Sequence, residues 1–383
     1  ELLHRTDIVE LIDSYVSLKK RGNSHIACCP FHHEKTPSFN VVAKKQFYHC
    51  FGCGESGNVI SFAMNYLQLG FIEAIELLAA RQGMQVQRDQ QEKHTQAPSL
   101  YNLLNNIAKF YQHQLKNNGY QAIQYLKNRG VNGEIAKDYQ LGYAPSGWHV
   151  LEATFKQHKK ELISTGMLVK KEDGGTYDRY RHRITFPIHD KNGRIIGFGG
   201  RSIDKDQQPK YLNSPETVIF QKNRELYGLY QVLQHNPNPS EIIIVEGYMD
   251  VITLAQYGII NAVATLGTAT SSYHIQLLSK FTAKLVFCFD GDAAGQKAAW
   301  RALENSLSFL NSGLDACFMF LPDGQDPDSI MRLTGEKAFL SLTNQAIPLS
   351  EFFFSHLMQT LDCTTLAGKS KLINEARPYL QKM

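Results

Sequence analysis

Two short pairs of metal-ligating side chains near the N-terminus constrain the fold of this chain more than any other feature. Cys29-Pro-Phe-His32 is followed, after seventeen residues, by Cys50-Phe-Gly-Cys53. In each pair the ligands are three positions apart, a spacing that lets one tight turn present both to the same ion. Four such ligands close a tetrahedron and leave no position for water, so the pattern predicts one structural zinc ion in a zinc ribbon.

The remaining cysteines agree with a metal site rather than with disulfides. Four of the seven cysteines lie between Cys28 and Cys53, and the other three are scattered. Cys28 and His33 do not fit the three-residue spacing and are not assigned to the ion. Clustered cysteines without a disulfide framework are typical of a reducing compartment. There is also no run of eighteen apolar residues and no signal-peptide pattern at the start, so we expect a cytoplasmic protein.

The net charge of +4 hides an uneven distribution along the chain. Residues 1–84 carry eight basic and eight acidic side chains, residues 101–222 carry nineteen against eleven, and residues 223–383 carry eleven against fifteen. A basic region followed by an acidic one suggests a phosphate-binding surface next to a cation-binding site. Ordinary solvated helix faces would give the same totals, so charge alone leaves both interpretations open.

The spacing of apolar residues predicts a multidomain α+β and α/β protein. A polar, glutamine-rich stretch at 85–99 is typical of a flexible linker. Helical patterns lie on both sides of it, and from residue 180 onward short apolar strands appear, beginning with a hairpin around Asp190-Lys-Asn-Gly193. Four later apolar runs alternate with helical patterns, which predicts a parallel sheet: 242–245, 262–264, 285–289 and 317–321.

Acidic residues follow three of these predicted strands. They are Glu246 and Asp250 after the first strand, Asp290 and Asp292 after the third, and Asp326 and Asp328 after the fourth. Open α/β sheets bind ligands at the carboxyl ends of their strands. Clustered carboxylates repel one another unless cations neutralise them, and hard oxygen ligands suit Mg²⁺ or Mn²⁺. The pattern therefore predicts a metal-dependent site that acts on phosphate esters.

Taken together, these residues resemble a known family. Cys29-Pro-Phe-His32, Glu34-Lys-Thr-Pro37-Ser-Phe39 and Tyr48-His-Cys50-Phe-Gly-Cys53 are similar to the zinc-binding domain of bacterial DnaG-type primases. Glu246-Gly-Tyr-Met-Asp250 and Asp290-Gly-Asp292 resemble their Toprim catalytic core. The resemblance implies a nucleotidyltransferase that joins ribonucleoside triphosphates into short RNA primers on single-stranded DNA.

The resemblance also implies residue roles. Glu246, Asp250, Asp290 and Asp292 would be catalytic, and the Mg²⁺ or Mn²⁺ ligands would be Glu246, Asp290, Asp292, Asp326 and Asp328. Template or nucleotide would contact Arg129, Arg201, Lys210, Tyr211, Asn213 and Lys222. The implied domains are a zinc-binding domain (1–84), the linker (85–99), a basic part of the RNA polymerase domain (100–235), a Toprim core (236–330) and an incomplete helical part (331–383). Because the chain ends at Met383, we expect the domain that docks on the replicative helicase to be missing and the chain to be a fragment.

Three alternatives stay open at this point. A type IA topoisomerase has a similar acidic site but adds a nucleophilic tyrosine. Cleaved DNA bound covalently to the protein would identify this class. A primase-helicase fusion needs a phosphate-binding loop, and Gly368-Lys-Ser370 ends like one, although Cys363 stands where the first glycine should be. A zinc-ribbon accessory protein would bind single-stranded DNA without any catalysis. The aromatic residues Phe39, Phe47, Tyr48 and Phe51, with Lys44 and Lys45 between them, could stack on its bases, but such aromatics also form the core of small zinc domains.

Overall fold

The computed structural model divides the chain into two units, Glu1–His94 and Thr95–Met383. It describes residues 6–382 except positions 23, 32, 33, 35, 54, 68–70, 83–89, 205, 360 and 362. In this part of the chain, no helix has the length and apolar character needed to cross a membrane. The boundary between the units lies inside the polar stretch at 85–99.

The N-terminal unit is built on a small antiparallel sheet. Alternation of buried and exposed positions in Phe39–Val42 and Phe47–Cys50 places Phe39, Val41, Tyr48 and Cys50 inside, as expected for a hairpin with one buried face. The strands follow in spatial order β1 (Lys19–Arg21), β2 (Ser24–Ala27), β3 (Phe39–Val42), β4 (Phe47–Cys50) and β5 (Ser56–Gly57). Its described helices are α1 (Ile8–Asp13), α2 (Val59–Tyr66) and α3 (Phe71–Arg81), besides a 3-10 turn at Ala43–Lys45.

A long helix, α4 (Gln90–Asn118), occupies much of the stretch for which the sequence predicts a flexible linker. For residues 90–99 the expectation of an irregular chain therefore differs from the structure, while 83–89 lie outside the described residues. The physical reason is composition, since glutamine, glutamate, lysine and alanine are polar or small but favour helices. Polarity alone did not distinguish a polar helix from a coil.

The larger unit continues with short helices and a first, antiparallel sheet. The helices are α5 (Tyr120–Asn128), α6 (Gly133–Asp138), α7 (Val150–Thr154) and α8 (Lys159–Ser164). The predicted hairpin is present as β9 (Arg183–His189) and β10 (Ile195–Ser202), with Gly193 at φ 83° in the turn. The four-stranded sheet has the order β11 (Tyr211–Asn213), β10, β9 and β6 (Gly142–Ala144), and a separate hairpin pairs β7 (Leu168–Lys170) with β8 (Thr176–Asp178).

The second sheet carries the acidic residues. Its strands are buried runs of Ile, Val and Phe, which pair in parallel because helices cover both faces. The order is β13 (Ala262–Ala264), β12 (Ile242–Val245), β14 (Lys284–Phe289), β15 (Asp315–Phe320) and the antiparallel β16 (Ile347–Pro348). The helices that follow are α9 (Leu229–His235), α10 (Tyr248–Gln256), α11 (Ser272–Leu278), α12 (Ala293–Ser306), α13 (Pro327–Asn344), α14 (Leu349–Met358) and α15 (Leu366–Leu380).

Two hydrophobic clusters lie on opposite faces of this parallel sheet. Ile243 and Val286 point into one, which continues to Phe186 of the antiparallel sheet, and Ile244 and Phe287 point into the other, which includes α14. The alternation along each strand follows from the two-residue period of β structure. The carboxyl ends of β12, β14 and β15, three adjacent strands, are therefore held in place by cores on both sides.

Candidate functional site

Three cysteines of the N-terminal unit form a cluster suited to a metal ion. The Sγ atoms of Cys29, Cys50 and Cys53 all lie within 4.8 Å of one another. The backbone N–H groups of Gly52 and Cys53 donate to Cys50 Sγ at 3.3 and 3.5 Å, and that of Phe31 donates to Cys29 Sγ at 3.4 Å. Hydrogen bonds of this kind stabilise thiolates, which are the form that binds zinc.

The pKa of Cys50 reflects the same hydrogen bonds. Burial alone would raise it, but the hydroxyl of Ser38 at 3.2 Å and the two backbone N–H groups lower the pKa to about 6. His32, the fourth predicted ligand, lies outside the described residues. Cys28 is exposed and is not part of the cluster, which agrees with its exclusion on spacing.

Most aromatic residues of the N-terminal unit belong to its core. Phe39 and Tyr48 are fully buried and pack with Phe31 and Phe62 at ring-centroid distances of 5.2–6.0 Å. Such contacts stabilise a small domain that has little other apolar material. Phe51 is 73% exposed and Phe47 40% exposed. Of the aromatics considered for base stacking, only these two present a ring to solvent among the described residues.

In the larger unit the predicted acidic residues line two adjoining cavities. Glu246 follows β12 and Asp290 follows β14, and both line each cavity. Asp292 is the N-cap of α12, where its side chain accepts from the Gly295 N–H at 2.7 Å, and Asp326 is the N-cap of α13. Asp250 lies in the first turn of α10. The sheet thus brings five of the six predicted carboxylates to the ends of three adjacent strands: Glu246, Asp250, Asp290, Asp292 and Asp326.

Two glycines allow this close arrangement. A Cβ atom on Gly291 would lie 2.1 Å from the Leu321 carbonyl oxygen, and one on Gly295 would lie 2.1 Å from the Asp290 carbonyl oxygen. No side chain fits at such distances, so α12 can approach the end of β14 only where these residues lack one. Asp290-Gly-Asp292-Ala-Ala-Gly295 is therefore a turn whose spacing is set by backbone contacts.

The carboxylates raise one another's pKa values. Burial, followed by the charges of Asp326 and Asp290, raises the pKa of Asp250 to about 8. Burial and then Asp290 and Asp292 raise the pKa of Glu246, and burial, Asp326 and Asp292 raise that of Asp290. Desolvation and like charges both disfavour the ionised form, and a bound divalent cation would remove the repulsion. The donor set, all carboxylate oxygen, fits Mg²⁺ or Mn²⁺.

The first cavity, of about 310 Å³, also has a basic wall and is called the basic cavity below. Arg129, Arg201, Lys210, Tyr211 and Asn213 line it together with the carboxylates. The Arg201 guanidinium lies 4.8 Å from the ring centroid of Tyr125 and 5.0 Å from that of Tyr211, and it donates to the Tyr211 hydroxyl.

Arg201 keeps one unsatisfied donor. It is only 8% exposed, and its Nε has no hydrogen-bond partner among the described residues. A buried N–H without an acceptor is costly, and a phosphate oxygen would satisfy it. The basic cavity therefore combines groups that bind anions with groups that bind cations.

Asp328 differs from the other carboxylates because its oxygens already have partners. It is 1% exposed, it accepts from the Thr253 hydroxyl at 2.8 Å, and it pairs with Arg332 at 3.0 Å and with Arg129. These contacts fix the Arg129 guanidinium against the cavity wall. Asp328 lines the basic cavity with the predicted metal ligands. In this structure, however, its carboxylate is paired with the guanidinium groups of Arg129 and Arg332.

The second cavity, of about 340 Å³, is called the threonine cavity below. Besides Glu246, Asp290 and Asp292 it is lined by Thr265, Thr268 and Thr270, which follow β13, and by residues of α12 up to Arg301. Sequence reasoning missed all of these, since a loop of threonines and glycine carries no charge signal and Arg301 stands inside an ordinary helix. The position of the loop next to β12 in a parallel sheet was the signal that could have found it. Lys222, which was predicted, lines neither cavity.

Four stretches of the chain match protein families. Residues 1–94 match the CHC2 zinc finger, and 110–233 match the N-terminal domain of the DNA primase catalytic core. Residues 243–331 match a Toprim-like family, and 350–383 match the DnaB-helicase binding domain of primase.

Three similar proteins, one known by sequence and two by structure, are also DNA primases. A DNA primase of Legionella pneumophila is 65% identical over 384 residues, covering 100% of this chain and 66% of that protein. The structure of the DnaG primase catalytic domain bound to ssDNA is 46% identical with a TM-score of 0.73, covering 76% of this chain and 94% of that chain. The Aquifex aeolicus primase structure, with zinc binding and RNA polymerase domains, is 36% identical with a TM-score of 0.63, covering 100% and 91%. The chain belongs to the DnaG-type DNA primase family.

Membership in the DnaG family corrects one expectation. We expected the helicase-docking domain to be missing, but residues 350–383, which cover α15 and all of α14 except Leu349, match the DnaB-helicase binding domain of primase. An amphipathic helical pattern looks the same in a polymerase domain and in a docking domain, so the pattern at 331–383 did not distinguish them. The chain spans 66% of the length of the Legionella relative.

Proposed function

We propose that this chain is a DNA primase, which makes short RNA primers on single-stranded DNA from ribonucleoside triphosphates. One observation carries the proposal: carboxylates from three adjacent strands and the cations Arg129, Arg201 and Lys210 line a single cavity. Nucleotidyl transfer needs this pairing, because the incoming triphosphate must be held while charge develops on its leaving group. The relative whose structure contains ssDNA supports the template class.

The acidic wall would hold the divalent ions. We assign Mg²⁺ or Mn²⁺ to Glu246, Asp290, Asp292 and Asp326, with Asp328 at the edge of the same group. Such ions, when bound, supply charge neutralisation for the attacking hydroxyl and the leaving pyrophosphate. The protein places these oxygens at one end of a sheet that is packed on both faces. The free energy of that packing offsets the repulsion between the carboxylates. Asp250, whose pKa is raised to about 8, would hold the turn after β12 by accepting from the Gly247 N–H at 2.9 Å.

The basic wall would hold the nucleotide and template phosphates. Arg129 is oriented by Asp328, and Arg201 by Tyr125 and Tyr211, so both guanidiniums are fixed before a phosphate arrives. Lys210 is exposed and supplies a mobile point charge. Asn213 is fixed between the Tyr248 hydroxyl, at 2.8 Å, and the Leu266 carbonyl, at 2.9 Å, which suits it to contact a nucleotide. Lys222, outside both cavities, would contact the template at a distance from the reacting groups.

For the N-terminal unit we propose one structural zinc ion on Cys29, His32, Cys50 and Cys53. Three cysteine sulfurs within 4.8 Å of one another support this set, and the ion would stabilise a domain that engages the template. The helicase is the proposed protein partner, through residues 350–383, on the basis of the family match there. The cytoplasm is the compartment that holds template and ribonucleotides together, and we place the protein there.

A primer-synthesis assay tests the proposal directly. The chain would be incubated with single-stranded DNA, labelled ribonucleoside triphosphates and Mg²⁺, and the products separated by length. We expect short labelled RNA whose synthesis requires template and stops in EDTA. DNA covalently bound to the protein would instead indicate the topoisomerase alternative. Binding of DNA without any RNA product, in Mg²⁺ and in Mn²⁺, would leave an accessory protein and refute the proposal.

A further inference from the structure

The basic cavity and the threonine cavity share one wall. Glu246, Asp290, Thr265 and Gly267 line both, so the two spaces open on the same carboxylates. Their volumes, about 310 and 340 Å³, are nearly equal. A ligand in either cavity would therefore reach the same reacting point.

The first step of primer synthesis needs two such places. Without a primer, the first phosphodiester bond joins two free nucleotides at one centre. The 3′-hydroxyl oxygen of the first nucleotide bonds to the α-phosphorus of the second, and the bond from that phosphorus to the β-phosphate oxygen breaks. Pyrophosphate leaves with the electron pair, and the hydroxyl proton passes to water. The first nucleotide must thus present its 3′ end, while its own triphosphate lies away from the centre.

The lining of the threonine cavity meets this requirement. Asp292 and Arg301 both line it; Asp292 is the N-cap of α12, and Arg301 lies in the second half of that helix. They are nine positions apart, so at a rise of 1.5 Å per residue they are about 14 Å apart along the helix axis. That span is comparable to an extended nucleoside triphosphate. Between them the cavity is lined by Ala294, Gly295 and Ala298, small residues that leave room for a ligand along the helix.

Arg301 is available to a ligand. Its side chain is exposed, and no hydrogen bond, ion pair or ring contact involves it among the described residues. Among the described residues that line the cavity it is the single cation, nine positions along the chain from Asp292. An arginine there can bind a phosphate in two-point fashion without competing with the acidic end.

We propose that the threonine cavity is the binding site of the initiating ribonucleoside triphosphate, with Arg301 holding its 5′-triphosphate and its 3′-hydroxyl at Glu246 and Asp290. The incoming nucleotide then occupies the basic cavity. This assignment rests on the proposed primase function. Arg301 is a positioning residue for initiation, and it has no part in the extension of a primer that already has its 3′ end in place.

The test compares initiation with extension in the full chain. A template whose first two positions require different bases separates the KM of the initiating nucleotide from that of the second nucleotide. For Arg301→Ala we expect the KM of the initiating triphosphate to rise about tenfold, as for the loss of one charged phosphate contact. The KM of the second nucleotide, and the extension of an annealed RNA primer with a 5′-hydroxyl, should change less than twofold. Arg301→Lys should recover part of the loss, and Lys297→Ala, an exposed cation of α12 outside both cavities, is the matched control.

A second comparison uses the 5′ end of the first nucleotide. The wild-type chain should prefer an initiating triphosphate to the corresponding monophosphate, and Arg301→Ala should lose that preference. An unchanged preference, or an equal loss of initiation and extension, would overturn the proposal. A wild-type chain that makes no RNA at all would instead refute the primase function, so the two failures are distinguishable.

Discussion

In the N-terminal unit the candidate ligands are thiolates in a small hairpin sheet, whereas in the larger unit they are carboxylates at the end of a sheet buried on both faces. The cysteines belong to a unit whose hydrophobic cluster is small and rich in aromatic residues. The carboxylates follow β12, β14 and β15, which two large clusters hold from opposite sides. The cysteines are therefore supported by one small hydrophobic core, whereas the carboxylates are supported by two large ones.

The difference separates two uses of a metal ion. Where the core is small, binding of the ion supplies part of the free energy of folding. Where the core is large, the fold can hold carboxylates together although burial and their like charges raise the pKa values of Glu246, Asp250 and Asp290. Removal of metal should therefore unfold the first region and leave the second folded but inactive.

The largest effect is expected from Cys53→Ser. Structural zinc contributes on the order of 10 kcal/mol to a small domain, so we expect zinc content to fall to about one tenth or less and residues 1–94 to become sensitive to protease. Zinc would be measured by mass spectrometry and cleavage sites by peptide mapping. Trp148 and Trp300, both in the larger unit, should show an unchanged unfolding transition.

The control is Cys28→Ser, since Cys28 is exposed and outside the cluster. It should keep full zinc. Loss of zinc from this variant would mean that the ligand set is wrong. A Cys53→Ser protein that keeps its protease resistance without zinc would remove the contrast between the two regions.

The next effect concerns catalysis without a change in fold. Asp290→Asn or Asp292→Asn should lower primer synthesis about a thousandfold, or about 4 kcal/mol, because an amide holds a divalent cation poorly. Tryptophan-monitored unfolding should show equal or greater stability, since one repelling charge is gone. Asp315→Asn, at the opposite end of β15 and exposed, is the matched control and should be fully active. Near-normal synthesis by both active-site variants at limiting Mg²⁺ would place the catalytic site elsewhere.

Acid should act on the fold of the larger unit through its buried histidines. Burial lowers the pKa of His274 to about 4, and the neutral ring accepts from the Ser271 N–H and donates to the Lys222 carbonyl. The folded state then binds fewer protons than the unfolded state, so stability is complete above about pH 6.5 and falls as the pH drops toward 4. Between pH 7 and 5 this group should account for a loss of about 2 kcal/mol.

His274→Gln tests this sign. Glutamine at the third helical position can still complete the capping box with Ser271 but does not titrate. Urea unfolding followed by tryptophan fluorescence should show a shallower pH dependence in the variant than in the wild type. His189, whose pKa burial also lowers to about 4, remains and keeps part of the slope. Parallel pH profiles for the two proteins would contradict the assignment.

The smallest effect is expected on the basic wall. Lys210→Ala removes one mobile charge and should weaken single-stranded DNA or nucleotide binding by about tenfold or less; for a template contact the slope of log affinity against log salt shrinks by about 0.7. Lys337→Ala, an exposed lysine of α13 outside the cavities, is the control. If Lys210→Ala leaves both affinities and the slope unchanged, that lysine is only solvated surface.

Local patterns in the sequence predicted much of the parallel sheet. Runs of Ile, Val and Phe at 242–245 and 285–289 are β12 and β14, and the acidic residues behind them do line common cavities. Such features depend on a few neighbouring residues and on the rule that parallel strands end at one edge. The hairpin around Gly193 was predictable for the same reason.

Features that depend on residues far apart were not predictable. The pairing of β6 with β9, and the ion pair of Arg129 with Asp328, join segments whose sequences carry no mark of each other. The loop with Thr265 and Thr268 lines the site because β13 lies next to β12. The residues of the loop carry no charge or metal-ligand pattern that predicts this. Only the first ten residues of helix α4, 90–99, were missed, because their polar residues are equally common in coils.

The pair of Arg129 with Asp328 also fixes an order of events during synthesis of the protein. The two residues are 199 positions apart, and Asp328 lies in the first turn of α13. While the ribosome is still translating the chain, Arg129 emerges long before the carboxylate that orients it. The basic wall is therefore incomplete on every nascent chain that has not yet exposed residue 328. All four parallel strands of the second sheet, which end at Phe320, must therefore leave the ribosome before Asp328 can orient the Arg129 guanidinium.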